Sequence, residues 1–92
     1  MKKIKVRNMK SNRGNTIANQ FIITTDKGSF FQSYQSIVAF IPRDKTKKTL
    51  IDSKYWDYSV TTGKYRNIFL GEDKRTTQSC IDSKEYKLTN LN

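Results

Sequence analysis

The chain is divided into short runs of β-branched and aromatic residues, each closed by a turn signal, and this pattern favours a sheet-based fold. The run Ser36–Ile41 (SIVAFI) is the most apolar, and Pro42 ends it because proline cannot donate to a sheet ladder. A run with so few polar positions is typical of a strand buried on both faces. We therefore predict that Ser36–Ile41 is the central, most buried strand.

The neighbouring runs are spaced to pair as hairpins. Asn19–Thr25 and Ser29–Tyr34 flank the turn sequence at Asp26–Gly28, which predicts a β-hairpin. Thr49–Asp52 resumes a strand after the basic segment Arg43–Lys48. A second hairpin with a positively charged tip is the expected result.

A helical pattern follows the strand-like runs. Apolar residues recur at i, i+3 and i+4 from Tyr65, and Gly71 stands where a helix would stop. Thr61 or Thr62 is positioned to supply the N-cap of this helix. One or two further helical turns are expected over Asp73–Ile81.

The ends of the chain complete the predicted architecture. Residues 1–14 are basic, with Ile4 and Val6 alternating with charges, and Glu85–Leu91 alternates as a closing strand. We predict an α+β fold: a small antiparallel sheet of four or five strands with one or two short helices packed on it. Residues 1–92 form one domain in this prediction, with residues 1–14 as a basic N-terminal strand or arm. Oligomerisation would add to the thin core of so short a chain.

The charge balance predicts the kind of partner. Eighteen Lys and Arg residues stand against eight Asp and Glu, a formal net charge of +10, whereas small soluble domains usually carry about 2 to 8. We therefore expect the protein to bind nucleic acid, a nucleoprotein complex or an acidic protein surface. The residues expected to make this contact are Lys2, Lys3, Lys5, Arg7, Lys10 and Arg13 in the arm, Arg43, Lys45, Lys47 and Lys48 at the hairpin tip, and Tyr55 as a stacking ring.

The composition disfavours catalysis. The chain has no histidine, and Cys80 is the single cysteine, so the familiar nucleophile and base pairs, a disulfide and a Cys-pair zinc site are all missing. The carboxylates do not follow the spacing of a recognised metal site. We expect no catalytic residue, no metal and no cofactor. Because the sequence shows neither a signal peptide nor a membrane-spanning run, we expect a cytoplasmic protein without membrane contact.

The segment Trp56–Gly71 also carries a candidate anion seat. Hydroxyls and free backbone amides at a helix start, with cations one turn later, suit a phosphate group. The alternative interpretation is that the hydroxyls only cap the helix and that the aromatic residues belong to the core. The candidate residues are Ser59, Thr61, Thr62, Lys64 and Arg66.

Two sequence patterns carry a resemblance to a known group of proteins. The pattern G-x-x-F-x-S-Y-x-x-x-V-A at Gly28–Ala39 is followed by W-x-Y-S-x-T-T-x-K-Y-x-x-x-F-L-G at Trp56–Gly71. Together they resemble small uncharacterised proteins of phages and mobile elements in low-GC Gram-positive bacteria, over roughly residues 19–71. The resemblance implies a counter-defence context, since such accessory genes often encode anti-CRISPR or anti-restriction inhibitors, or binders of signalling nucleotides.

These observations predict a counter-defence inhibitor that acts by occlusion, binding a nucleic acid or a nucleoprotein complex through a basic surface. Two alternatives stay open from the sequence. One is a sponge for a small anionic signalling nucleotide, and the other is an inhibitor that covers an acidic protein surface without nucleic acid.

Overall fold

A computed structural model describes residues 3–92, and within that range the chain forms six strands and two helices. The strands are β1 (Lys5–Lys10), β2 (Thr16–Thr25), β3 (Gly28–Ser33), β4 (Ser36–Pro42), β5 (Thr49–Asp52) and β6 (Tyr86–Thr89). The helices are α1 (Val60–Leu70) and α2 (Lys74–Asp82), and both lie between β5 and β6 in the sequence. The α+β class and both predicted hairpins are confirmed.

The strands form one sheet whose spatial order follows the chain, from β1 to β6. The first five strands are antiparallel neighbours, and β6 pairs with β5 in parallel. The prediction of four or five strands is therefore wrong, because the described residues form six. The two helices carry the chain back to the end of the sheet where β5 begins, so β6 must run in the same direction as β5.

The face of the sheet beneath the helices holds the core. Phe31, Ala39 and Ile51 are neighbours across three strands, and all three are fully buried. Tyr65 of α1 packs on the cluster that contains Phe31, and Ile81 of α2 packs on the cluster of Ala39 and Ile51. The helices therefore cover one face of the sheet.

The opposite face of the sheet carries a second apolar row. Strand alternation places this row on the side away from the core clusters, and no helix within residues 3–92 packs on it. The Cα atoms span only 22 Å in their shortest dimension, which accommodates two layers. We call this surface the open face. Its central row consists of the cross-strand neighbours Val6, Ile23, Phe30, Phe40, Leu50 and Lys87.

A register shift in β4 determines which residues of this strand are buried. Between Phe31 and Gln32 of β3 the pairing skips Val38, so Val38 and Ala39 are both fully buried. Phe40 then lies on the open face and is only partly buried. β4 is thus central in the sheet, as predicted, but it is not buried on both faces, because Val38 and Ala39 both pack in the core clusters and Phe40 is left partly exposed.

Side chains and glycine define the helix ends. Ser59 is the N-cap of α1, because its hydroxyl accepts a hydrogen bond from the Thr62 amide at 3.1 Å. The prediction that Thr61 or Thr62 supplies this cap is wrong, since the helix already begins at Val60. Gly71 ends α1 in the left-handed conformation, as expected, and Asp73 caps α2. Neither helix within residues 3–92 is long and apolar enough to cross a membrane.

Candidate nucleic-acid interface

The strand register brings four basic segments to one end of the sheet. Lys5 pairs with Thr24 just before the β2–β3 turn, and Gly28 pairs with Pro42 just before the β4–β5 turn. The parallel pairing places the start of β6 at this same end. We call this region the basic end. The described cations there are Lys3, Lys5, Lys27, Arg43, Lys45, Lys47, Lys48, Lys84 and Lys87, against the carboxylates of Asp26, Asp44 and Glu85.

A groove of about 770 Å³ opens where the basic end meets the open face. Its apolar floor is formed by Phe40, Pro42 and Leu50. Its charged rim consists of Lys27, Arg43, Lys47, Lys48 and Lys87 with Asp26 and Asp44. Among the described residues the rim thus has three more positive than negative charges. We call this cavity the basic groove.

Phenylalanine rings extend the floor of the groove along the open face. The rings of Phe30 and Phe40 lie 4.4 Å apart between centroids, with an interplanar angle of 36°. Gly28 makes room for Phe40, because a Cβ atom at this position would lie 2.8 Å from the Phe40 ring. Both rings are partly exposed. A planar group on the open face would therefore meet an aromatic surface next to the cations.

One of the two rim carboxylates is held by its own turn. Asp44 accepts hydrogen bonds from the amide and the hydroxyl of Thr46, at 2.9 and 2.7 Å. These bonds lower the pKa of Asp44 below its ordinary value of 3.8. The carboxylate therefore stays charged at neutral pH and fixes the shape of the hairpin tip, while the neighbouring lysine side chains extend into solvent.

The predicted basic arm is divided between the two ends of the sheet. Lys3 and Lys5 belong to the basic end, whereas Arg7 lies midway along the edge strand β1. Lys10 and Arg13 lie at the opposite end, beside the turn that joins β1 to β2. Lys2 lies outside the described residues. The hairpin tip is brought together as expected, since Arg43, Lys45, Lys47 and Lys48 all follow β4 directly.

The structure places Tyr55 far from the basic groove. Tyr55 follows β5 at the opposite end of the sheet, where its ring meets the edge of Tyr58 at 5.5 Å between centroids. The Lys54 ammonium lies 5.3 Å from the centre of the Tyr55 ring. Tyr55 and Trp56 are both half-buried against the core, so neither can share a contact surface with the hairpin tip.

The residues of the predicted anion seat are divided between two cavities: Ser59, Lys64 and Arg66 line one, and Ser59, Thr61 and Thr62 line the other. The Thr62 hydroxyl is buried and lies within hydrogen-bond distance of the hydroxyls of Ser33 and Ser59, at 2.9 and 3.1 Å. Thr61 and Lys64 are exposed, and the Lys64 ammonium lies 5.4 Å from the Tyr65 ring centre. The arrangement corresponds to the capping interpretation, in which two hydroxyls join the start of α1 to the sheet.

Arg66 lies inside the protein. Its side chain is 1% exposed and donates hydrogen bonds to the carbonyl of Trp56 at 2.5 Å and to Oδ1 of Asn67 at 2.9 Å. The Asp57 carboxylate lies 3.5 Å away and is also paired with Lys74. Burial lowers the pKa of Arg66 from its ordinary value, although Asp57 raises it. The guanidinium therefore fixes the loop before α1.

Sequence reasoning missed the residues on which the groove depends. Phe40 is predicted to lie in the most buried strand, Phe30 and Leu50 are predicted only as strand residues, and Lys27 and Lys87 are not assigned to any surface. The period-two alternation of β3 contains part of the signal, because Phe30 and Phe31 must point to opposite faces. The alternation alone does not indicate which of the two faces the helices leave uncovered.

The chain belongs to DUF8033, a family of unknown function, whose pattern it matches over residues 4–87. No curated protein and no solved structure matches the chain. Within residues 3–92, no group of three or more Cys, Asp and Glu side chains is close enough to hold a metal ion.

Proposed function

We propose that the protein binds single-stranded nucleic acid in the basic groove and along the open face, and that it inhibits host defence by occluding the strand or nucleoprotein complex that it covers. The observation that carries the proposal is that the aromatic ring of Phe40 and a rim of Lys and Arg side chains line the same groove.

The cations of the site suit the phosphate of a nucleotide, and its aromatic rings suit the base. Lys and Arg side chains neutralise backbone phosphates and release condensed counterions, which supplies most of the affinity. Aromatic rings stack on bases irrespective of sequence, and each stacked base contributes about 1–3 kcal/mol. In this protein Lys47 and Lys48 would contact phosphates while the rings of Phe30 and Phe40 contact bases.

The geometry favours a single strand over a duplex. Base faces can stack on protein rings only where the bases are unpaired. The rings of Phe30 and Phe40 lie on the surface of the sheet. Within the described residues, this surface has no projecting helix of the kind that enters the major groove of a duplex. A strand laid across the open face would leave its phosphates near the basic end.

The counter-defence role rests on the resemblance of the sequence to phage and mobile-element proteins together with the proposed binding. Occlusion requires a binding surface and no chemistry, which suits a chain without histidine. A guide or target strand in a nucleoprotein defence complex would be a suitable ligand, because it is single-stranded over part of its length.

Charge reversal at the hairpin tip tests the binding site. The variant combines Lys45→Glu, Lys47→Glu and Lys48→Glu, and its control combines Lys10→Glu, Arg13→Glu and Lys64→Glu. Both sets are exposed and lower the formal net charge by six, but the control residues lie away from the basic end. Fluorescence anisotropy with a labelled single strand and a duplex of the same length gives the affinities.

We expect the hairpin-tip variant to lose single-strand binding and the control variant to lose only a small part of it. For the wild type, log affinity should fall with log salt by about 0.7 per neutralised phosphate. If both variants lose the same affinity, only net charge matters, and the basic groove is not the binding site. If the protein captures a host protein that remains bound after nuclease treatment, and binds no single strand, the acidic-surface alternative is correct instead.

A further inference from the structure

A second cavity, of about 660 Å³, lies at the end of the sheet opposite the basic end. Its walls are the β3–β4 turn, the loop between β5 and α1, and the first turn of α1. Tyr34 is on the first wall, and Tyr55 and Tyr58 are on the second. Cavities of about 300–1,000 Å³ are the usual size for small-molecule sites.

The lining of this cavity is aromatic and polar but uncharged. Among the described residues that line it there is no Lys, Arg, Asp or Glu, although the chain contains 26 of them. Tyr34 is 51% exposed and Tyr58 is 69% exposed, so these rings are available to a ligand. The part of a ligand that touches these walls should be uncharged. This distinguishes the cavity from the basic groove.

The polar groups of the cavity include two amides that are free to bind. The side chains of Asn19 and Gln35 are exposed and make no hydrogen bond to another described residue. The main chain beneath them is fixed, because the Tyr34 amide donates to the Asn19 carbonyl at 2.7 Å. Asn and Gln side chains can donate to and accept from the edge of a nucleobase simultaneously.

A buried amide lies next to the cavity wall. Gln20 is fully buried, and neither atom of its side-chain amide has a hydrogen-bond partner among the described residues. Its cross-strand neighbour is Ser33, which lines the cavity. An unpaired buried amide is costly, and Gln20 lies behind this wall without itself lining the cavity.

From this combination of neutral walls, tyrosine rings and unpaired amides, we propose that the cavity binds an uncharged nucleobase, stacked on tyrosine and hydrogen-bonded through its edge. The base belongs either to a free nucleoside or to an unpaired nucleotide in a chain. The proposal does not rest on the proposed function, because the cavity and the basic groove lie at opposite ends of the sheet.

Titration of isotope-labelled protein with adenosine, cytidine, adenosine monophosphate and ribose, followed by NMR, tests the proposal. At least one nucleoside should shift the amide signals of Asn19, Tyr34 and Tyr58 to saturation, and ribose should not. The monophosphate should bind no more tightly than its nucleoside, because no cation lines the cavity. Repeating the titration with a short single strand in 0.5 M salt, where backbone contacts are weakened, distinguishes a free nucleoside from a base in a chain.

The variants Tyr34→Ala and Tyr58→Ala should each weaken nucleoside binding about tenfold, the usual effect of losing one stacked ring. Arg75→Glu serves as the control and should leave nucleoside binding unchanged, because Arg75 is exposed and lines neither this cavity nor the basic groove. The absence of shifts with every nucleoside would overturn the proposal. It would equally be overturned by ribose shifts that match those of the nucleosides, or by a monophosphate that binds tenfold more tightly.

Discussion

The ring of Phe40 occupies the space that a side chain on Gly28 would need. A Cβ atom built on Gly28 would lie 2.8 Å from Cζ of Phe40 and 2.3 Å from the carbonyl oxygen of Ile41. Gly28 also has a φ of +150°, which side chains rarely permit. The edge of the basic groove therefore depends on the absence of a side chain at the start of β3.

Gly28→Ala should destabilise the protein by about 3 kcal/mol, because backbone strain and a steric clash act together. Gly14→Ala is the matched control, since Gly14 also has a positive φ but nothing lies within 4 Å of its Cβ position. The control should lose only about 1 kcal/mol. Urea denaturation measures both values, and equal losses would show that the Phe40 ring is not packed against Gly28.

The assignment of the α1 cap predicts different effects for three neighbouring hydroxyls. Ser59→Ala should lower the free energy of unfolding by about 1 kcal/mol, because the Thr62 amide loses its cap. Thr62→Ala should cost about as much or more, since a buried hydrogen bond to Ser33 is lost. Thr61→Ala should be nearly neutral because Thr61 is exposed. A Thr61 variant that is the least stable of the three in thermal unfolding would contradict this cap.

Arg66→Lys should destabilise the protein although it keeps the positive charge. Lysine cannot reproduce the planar contacts of Arg66 with the Trp56 carbonyl and Asn67, and it would leave Trp56 without the guanidinium that lies 5.1 Å from its ring centre. We expect a loss of about 3 kcal/mol, as for other broken buried charge networks. Tryptophan fluorescence during denaturation reports on this loop directly. Unchanged stability would mean that Arg66 points to solvent and is available to an anion.

The ionisation of Asp52 should make the free energy of unfolding depend on pH. Its buried carboxylate accepts hydrogen bonds from the amides of Leu91 and Tyr55, at 2.7 and 2.8 Å. Burial alone would raise the pKa of Asp52, but these bonds and that from Asn92 lower it below 3.8. A lowered pKa means that the stabilisation is complete above the unfolded-state pKa and is lost as the pH falls through the folded-state value.

Asp52→Asn should therefore lower the free energy of unfolding by about 2 kcal/mol at pH 7. The difference from the wild type should shrink as the pH falls below about 4, where the wild-type carboxylate becomes protonated in the unfolded state. Urea denaturation between pH 2 and 7, spanning the values for ordinary Asp side chains, measures this. A difference that stays constant across the range would show that the hydrogen bonds do not depend on ionisation.

The features that the sequence revealed are those set by local chemistry. The turn residues at Asp26–Gly28 define one hairpin, and Pro42 with the basic residues after it defines the other. Gly71 ends α1 where the spacing of apolar residues predicts. Each of these depends on a few adjacent residues, and for that reason the hairpins and the first helix could be predicted from the sequence.

The features that the sequence did not reveal depend on distant parts of the chain. The direction of β6 depends on how two helices cross the sheet, and the exposure of Phe40 depends on which face those helices cover. The bulge at Val38 further determines which residues of β4 are buried. In the sequence, Arg66 resembles an ordinary cation on a helix surface. In the structure it contacts the Trp56 carbonyl and Asp57.

The most direct measurement of the proposed function is NMR mapping of an unlabelled single strand on the isotope-labelled protein, repeated with Phe40→Leu and Phe40→Tyr. We predict amide shifts at Phe30, Phe40, Lys47 and Lys87, with affinity reduced about tenfold in the leucine variant and retained in the tyrosine variant. Shifts confined to the helical side of the sheet, or equal affinities for all three proteins, would contradict binding on the open face.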